Sequence, residues 1–271
     1  MRLLERRTGG EIYLTADLLY ENPPRYAILS HTWGDDDEEV SYTDMVKSLG
    51  RHKAGYRKIQ FCVEQAAKDG LRYSWVDTCC IDKSSSSELS EAINSMFSWY
   101  EGAAKCYVFL SDVSMNGHDS TRTPPEWELD FRSSRWFNRG WTLQELLAPT
   151  SVEFFSRDCK WLGDKKSLER QINEVTGISV LVLRGHPLSE FSVDERMSWA
   201  AKRDTKRKED KAYSLLGIFG VSMSLLYGEG GDRAFRRLRN EITKALQGKS
   251  LAHFQIALRS DIYPELYLCI Y

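Results

Sequence analysis

The chain has 271 residues, of which 42% are hydrophobic, 12% aromatic and 28% charged, so it has the composition of a folded protein and not of a disordered one. A net charge of −2 provides no broad positive field for a polyanion, which makes nucleic acid a poor partner. The length suits one large domain or one domain with a packed extension.

The six scattered cysteines and the lack of long apolar stretches bear on the cellular compartment of the protein. No CxxC pair or Cys/His cluster has the spacing of a zinc site, so we expect neither a disulfide framework nor a bound metal. Residues 1–14 lack the apolar core of a signal peptide, and no stretch approaches the ~20 apolar residues of a membrane span. These features predict a cytoplasmic protein.

Short apolar runs alternate with helical patterns from the N-terminus onwards, which is typical of a layered α/β fold with a mainly parallel sheet. Apolar runs bounded by turn residues predict strands, and apolar residues at helical spacing predict crossover helices. The first predicted elements are strands at Tyr26–Ser30, Tyr73–Asp77 and Cys106–Leu110, and helices at Ala54–Asp69 and Leu89–Tyr100.

The next predicted elements are a polar loop around Pro124-Pro125, a helix at Trp141–Leu147, a strand or hairpin at Val152–Ser156 and Cys159–Leu162, and a helix at Lys165–Val175. After Gly177 the alternation ceases, and helices with an intervening Gly/Tyr loop follow. The sequence therefore predicts an α/β domain at 1–185, a helical extension packed on it at 186–250, and a C-terminal tail of unknown role at 251–271.

Ligands of open parallel sheets bind at the carboxyl ends of the strands, so the loops after Ser30, Asp77 and Asp112 are candidate sites. Ser30 and His31 beside Trp33 could position a ribose or stack a base, although a buried tryptophan next to a solvated acidic loop (35–39) is the alternative. Asp77 ends the second strand, where α/β folds place catalytic or ribose-binding acids. Asp77 or the following Asp82 could instead cap the turn.

Three other patterns receive a structural interpretation. Cys79 and Cys80 would point to opposite faces of a strand, and no Cys-His-Asp order accompanies them. The basic run at 202–210 is interrupted by acids, as expected for a solvated helix end. The glycines at 227–231 lack the pattern of a phosphate-binding loop.

The segment from Arg139 to Leu146 is the most informative one. Trp141 and Glu145 are four residues apart and share a helix face, so Glu145 would lie beside an indole. A carboxylate next to aromatic surface tends to have a raised pKa and can bind hydroxyl groups. The alternative is an exposed glutamate paired with Arg139.

Taken together, three blocks resemble the signature blocks of the HET (heterokaryon incompatibility) domain of filamentous fungi. They are YAILSHTWG at 26–34, WVDTCCIDK at 75–83 and RGWTLQEL at 139–146, and their order and spacing match as well. Residues 195–217 are similar to the stretch that usually follows. The resemblance implies a cell-death effector domain that acts with receptors.

HET domains are in turn distantly similar to TIR domains, which implies a TIR-like (flavodoxin-like) sheet. Some TIR domains hydrolyse NAD with a glutamate in a Trp-Cys-x-x-Glu-Leu pattern, which this chain matches with Thr142 in place of the cysteine. By that resemblance Glu145 is the catalytic residue and NAD is the substrate, with no further cofactor. The expected substrate-binding residues are Ser30, His31, Trp33, Asp77, Arg139 and Trp141.

The family resemblance also implies partners. We expect self-association, which would activate the domain, together with a receptor-type partner or a fused NLR-like region. The competing hypothesis is a non-enzymatic death-signalling adaptor that acts through oligomerisation alone. Both hypotheses predict the same fold. Under the adaptor hypothesis Glu145 can be replaced without loss of function, and under the enzyme hypothesis it cannot.

Overall fold

The structure is a computed structural model that describes residues 1–18, 23–116 and 126–259. Its centre is a seven-stranded sheet. In chain order the strands are β1 (Leu4–Arg6), β2 (Ile12–Leu14), β3 (Tyr26–His31), β4 (Tyr73–Trp75), β5 (Lys105–Leu110), β6 (Val152–Ser156) and β7 (Trp161–Asp164).

The spatial order of the strands is β2-β1-β4-β3-β5-β6-β7. The four central strands are parallel, with Ile28 of β3 pairing with Trp75 of β4 on one side and Cys106 of β5 on the other. Among these four, the chain order 2-1-3-4 is that of a flavodoxin-like doubly wound sheet. Antiparallel pairs close both edges of the sheet. The prediction of an α/β fold with a mainly parallel sheet is confirmed.

The helices of the described residues are α1 (Tyr42–Val46), α2 (Tyr56–Lys68), α3 (Asp77–Cys80), α4 (Ser86–Glu101), α5 (Glu126–Ser133), α6 (Thr142–Leu147), α7 (Glu169–Thr176), α8 (Val180–Leu183), α9 (Val193–Ser198), α10 (Asp210–Tyr213), α11 (Leu216–Phe219) and α12 (Gly231–Arg259). Of these helices, α1 to α6 lie between the parallel strands in sequence, and α7 to α12 come after the last strand, β7. None of them is long and apolar enough, within the described part of the chain, to cross a membrane.

Burial of the central strands explains why they lack a polar face. All six residues of β3 are buried, as are five of the six in β5, which is the pattern of strands covered by helices on both sides. On α2 the predicted apolar residues Ile59, Cys62 and Val63 are buried against the sheet.

Several boundaries differ from the sequence prediction. Strand β4 ends at Trp75, and Asp77 begins the short helix α3, so the argument that Cys79 and Cys80 alternate across a strand is wrong. Both cysteines are nevertheless buried and unpaired, which fits a packing role. The helix expected from Lys165 begins four residues later, because residues 165–168 form a turn in which the backbone N–H groups of Lys166 and Ser167 donate to Asp164 Oδ1.

The N-terminal hairpin of β1 and β2 was not predicted, because strands of three residues give too short a pattern to recognise. The polar loop around Pro124-Pro125 and residues 260–271 of the predicted tail lie outside the described residues. The boundaries of the three predicted segments stay a prediction.

The helical extension contacts the sheet domain at two close approaches that require glycine. A Cβ on Gly217 of α11 would lie 2.1 Å from the Cβ of Phe97 on α4, and one on Gly140, just before α6, would lie 2.4 Å from Thr205. Backbone bonds join the same region, since Gly140 donates to the carbonyl of Asp204 at 2.9 Å. The extension is therefore packed tightly on the segment that begins α6.

Candidate functional site

A cavity of about 670 Å³ opens at the carboxyl ends of β3 and β4, on the edge of the parallel sheet where α/β folds bind ligands. Apolar side chains of α4 form one wall. Six of the seven predicted site residues line it: His31, Trp33, Asp77, Arg139, Trp141 and Glu145. The seventh, Ser30, is buried and donates a hydrogen bond to the Glu145 carboxyl.

Glu145 is only 7% exposed, and its carboxyl group is held from the sheet side. The Ser30 hydroxyl donates to Glu145 Oε2 at 2.5 Å, and the indole N–H of Trp136 donates to the Ser30 oxygen at 2.8 Å. Because both donors are buried, this relay fixes the position of one carboxyl oxygen.

Two of the three leucines of helix α6, Leu143 and Leu146, are fully buried in the core, while Glu145 of the same helix lines the cavity. The N-terminal end of α6 is fixed by Thr142, whose hydroxyl donates to the carbonyl of Trp136 at 2.6 Å. Arg203 of the extension, itself buried, donates to that hydroxyl and to the carbonyl of Arg139, both at 2.9 Å. The extension thus takes part in positioning α6.

Burial raises the pKa of Glu145 from its ordinary value of 4.5 to about 8, opposed by the hydrogen bond from Ser30 and reinforced by the negative charge of Asp77. The carboxyl is therefore largely protonated at neutral pH. The alternative of an exposed glutamate paired with Arg139 is wrong, since no such ion pair forms among the described residues. The expected raised pKa is a property of burial more than of the neighbouring indole.

Asp77, at the start of α3, forms the second acidic group of the cavity. The indole N–H of Trp33 donates to Asp77 Oδ2 at 2.8 Å, so the expected tryptophan and acid are joined directly. Burial raises the pKa of Asp77 above its ordinary value. The Lys83 ammonium lies 3.8 Å from the centre of the Trp33 ring and orients it as a cation–π partner.

His31 faces the same acid without a direct hydrogen bond. Its Nε2 lies 3.8 Å from Asp77 Oδ1, and neither atom has a hydrogen-bond partner within the described residues. Burial lowers the pKa of His31 well below its usual range, so the imidazole is neutral. A ligand hydroxyl at about 2.8 Å from both atoms would bond to each of them.

The acidic loop after Trp33 is only partly solvated. Asp35–Glu38 are exposed, but Glu39 is buried, accepts a hydrogen bond from the backbone N–H of Gly34 at 2.7 Å and pairs with Lys58. The prediction of a wholly solvated loop is therefore wrong at its last residue. Asp82 accepts from the backbone and side chain of Ser84 and caps the turn, which was the alternative considered for it.

The far end of the cavity is formed by residues that the sequence prediction missed. Lys206, Arg207, Asp210 and Tyr227 of the extension all line it. The interpretation of residues 202–210 as a solvated helix end is wrong in part, because Arg203, Glu209 and Asp210 are buried. The sequence did contain one indication of this burial, namely the acidic residues within the basic run. Buried carboxylates need hydrogen-bond donors nearby, and a basic segment can provide them.

The Gly-rich segment 227–231 shows how such donors are used. The backbone N–H groups of Gly228 and Gly230 both donate to Glu209 Oε1, at 2.9 and 3.0 Å. The Glu209 carboxylate thus accepts the hydrogen bonds that the backbone amides of a phosphate-binding loop would donate to phosphate. This agrees with the lack of a phosphate-binding pattern in the sequence of this segment. Among the described residues, no cluster of three His, Cys, Asp or Glu side chains could hold a metal ion.

Comparison with known proteins identifies the family. Residues 26–128 match the family described as Heterokaryon incompatibility protein (HET). The chain is also 59% identical over 244 residues to the vegetative incompatibility protein HET-E-1 of Podospora anserina, in an alignment that covers 90% of this chain. The chain therefore belongs to the heterokaryon incompatibility (HET) family.

The match extends over only part of that relative. The chain spans 18% of the length of HET-E-1, so the match does not transfer the activity of the whole relative to this chain. No solved structure matches the chain. Within this chain the HET family match contains Ser30, His31, Trp33 and Asp77, while Glu145 lies beyond it.

The raised pKa of Glu145 predicts a characteristic dependence of stability on pH. A carboxyl with a pKa of about 8 when folded and near 4.5 when unfolded stabilises the fold fully below pH 4.5 and loses that contribution as the pH rises to about 8. The loss is at most about 5 kcal/mol for this shift. Glu145→Gln removes the titration, so the variant gains stability relative to the wild type between pH 5 and pH 9.

Urea unfolding at pH 5 and at pH 9 measures the difference. Glu64→Gln serves as the matched control, because Glu64 is exposed on α2 and its substitution leaves the pH dependence unchanged. Identical pH dependence of wild type and Glu145→Gln would contradict the burial of an ionisable carboxyl at this position.

Proposed function

We propose that this chain is an effector domain of vegetative incompatibility that hydrolyses NAD at the bond between nicotinamide and ribose. One observation carries the enzymatic part of the proposal. Glu145, a buried glutamate without an ion-pair partner among the described residues, lines a cavity together with two tryptophans at the carboxyl ends of parallel strands, where α/β sheets bind ligands. Membership of the HET family supports the biological role.

The reaction requires stabilisation of positive charge on the ribose. When the bond between the nicotinamide nitrogen and ribose C1′ breaks, its electron pair leaves with the ring, which becomes neutral nicotinamide. The ribose acquires oxocarbenium character, and water then adds at C1′ with release of a proton. An ionised Glu145 facing the sugar stabilises this charge and holds a ribose hydroxyl.

A neutral leaving group needs no strong general acid, so one catalytic carboxyl is enough for bond cleavage. The remaining site residues have binding roles in this proposal. His31 Nε2 and Asp77 Oδ1 would share a ribose hydroxyl, since both atoms are buried and 3.8 Å apart. Trp33 or Trp141 would stack on a ring of the substrate. The Ser30 hydroxyl keeps Glu145 in place.

The proposal predicts the effect of Glu145→Gln on turnover. The substitution preserves side-chain volume and hydrogen bonding to Ser30 but removes the negative charge, so nicotinamide release from NAD and toxicity should both be lost while the fold is kept. In the wild type, kcat/KM should rise about tenfold per pH unit below pH 8 and level off above it, because only the ionised carboxyl acts.

Nicotinamide release by purified protein, measured from pH 6 to pH 9, tests both expectations, with Glu64→Gln as the control that retains full activity. Turnover by Glu145→Gln at the wild-type rate would remove Glu145 from the mechanism. Loss of turnover with retained toxicity would instead favour the adaptor hypothesis, in which oligomerisation alone delivers the signal.

We further propose that self-association activates the site, because a constitutive NAD hydrolase would deplete its own cell. The exposed acids beside Trp33 are suited to such control, since Asp36 itself lines the cavity mouth. Ordering of this loop by a neighbouring copy would complete the site. Asp37 is exposed in the same loop and does not line the cavity.

Specific activity should therefore climb as the protein concentration increases from roughly 0.1 to 10 micromolar, a range that brackets weak association constants. Asp37→Lys should shift this rise to higher concentration, yet leave activity intact when the chain is fused to an oligomerising partner. Flat specific activity from a protein that light scattering shows to be monomeric throughout would exclude assembly as the switch.

A further inference from the structure

Arg139 and Arg207 form a cationic wall of the same cavity, and the reaction at the ribose does not use them. Arg139 and Arg207 both line the cavity, and within the described residues neither guanidinium forms a contact ion pair, although Arg139 acts on Glu145 and Arg207 on Glu209 and Asp210 from a longer distance. By contrast, Lys206 beside them is paired with Asp36. Two guanidinium groups that line one cavity without a contact ion pair can each bind an anionic ligand.

Arg207 is held in a fixed orientation although its side chain is exposed. Its guanidinium lies over the Tyr227 ring, 4.2 Å from the ring centre, and the Tyr227 hydroxyl donates to Asp210 Oδ1 at 2.9 Å. Asp210 is only 8% exposed and also lines the cavity. Stacking on an anchored ring reduces the entropy that Arg207 would lose on binding a ligand.

The segment that carries Arg207 is also fixed relative to Glu145. The backbone N–H of Asp204 donates to the carbonyl of Asn138 at 2.6 Å, and the carbonyl of Asp204 accepts from Gly140 at 2.9 Å. These bonds join the extension to the residues just before α6, the helix on which Glu145 lies. The distance between the cationic wall and the carboxyl is therefore set by rigid contacts.

Guanidinium groups bind phosphate oxygens in a bidentate manner and remain charged at any physiological pH. A cavity that holds both a ribose-binding acid and two guanidinium groups without contact ion pairs matches a nucleoside joined to a diphosphate. We propose that Arg207, together with Arg139, forms a diphosphate subsite supplied in part by the helical extension, so that this chain selects diphosphate-bridged dinucleotides over free nucleosides. The inference rests on the proposed NAD hydrolysis.

The test compares a substrate with a diphosphate and one without any phosphate. Arg207→Gln should lower kcat/KM for NAD about tenfold or more, as expected for the loss of a charge-assisted hydrogen bond, and leave kcat/KM for nicotinamide riboside unchanged. Lys208→Gln is the matched control, because Lys208 is an exposed cation of the same segment that does not line the cavity. It should behave as the wild type with both substrates.

Equal effects of Arg207→Gln on the two substrates, or no effect on either, would overturn the subsite. Calorimetric binding of ADP keeps this result separate from a failure of the proposed hydrolysis. If the wild type releases no nicotinamide from NAD, tenfold weaker ADP binding by Arg207→Gln than by Lys208→Gln would still support the subsite. In that case, unchanged or absent ADP binding would overturn it.

Discussion

The hydrogen bond from Ser30 to Glu145 joins the end of the central strand β3 to helix α6, and the arrangement of the cavity depends on it. The Ser30 hydroxyl donates its one proton to this carboxyl, while its oxygen accepts from the indole N–H of Trp136. The Trp136 ring in turn packs edge-on against Phe154 of β6, with ring centres 5.7 Å apart. This packing fixes the group that holds Ser30, and burial of the carboxyl raises its pKa.

A protonated carboxyl in the free protein suits the proposed chemistry. Bringing a pyridinium cation next to Glu145 favours loss of its proton, since a nearby positive charge stabilises the carboxylate. The charge needed for cleavage would then appear when substrate is bound. The free site carries an energetic cost above neutral pH, which is a common compromise between the stability of a fold and its function.

The sheet was predictable from sequence because strands such as β3 and β5 are short, apolar and bounded by turn residues. Six of the seven predicted site residues line one cavity, since the strand ends and α6 converge there. Strand β4 was predicted too long, because Val76 and Asp77 continue its pattern while the backbone already turns into α3.

The contribution of the extension could not be read from sequence. Arg203 is a buried donor to backbone groups before α6, and Arg207 and Tyr227 line the cavity, but a basic run interrupted by acids is usually a solvated surface. Periodicity indicates which residues face a core within one element. It does not indicate which surface loop meets a distant helix, because that contact depends on backbone bonds such as the one between Gly140 and Asp204.

The most direct test of this account is the protonation of Glu145 itself. Infrared difference spectra between the wild type and Glu145→Gln, recorded from pH 5 to pH 9, should contain one protonated carboxyl band that disappears with a midpoint near pH 8. A carboxyl that is already ionised at pH 6 would contradict a buried, water-excluded glutamate and with it the proposed origin of the catalytic charge.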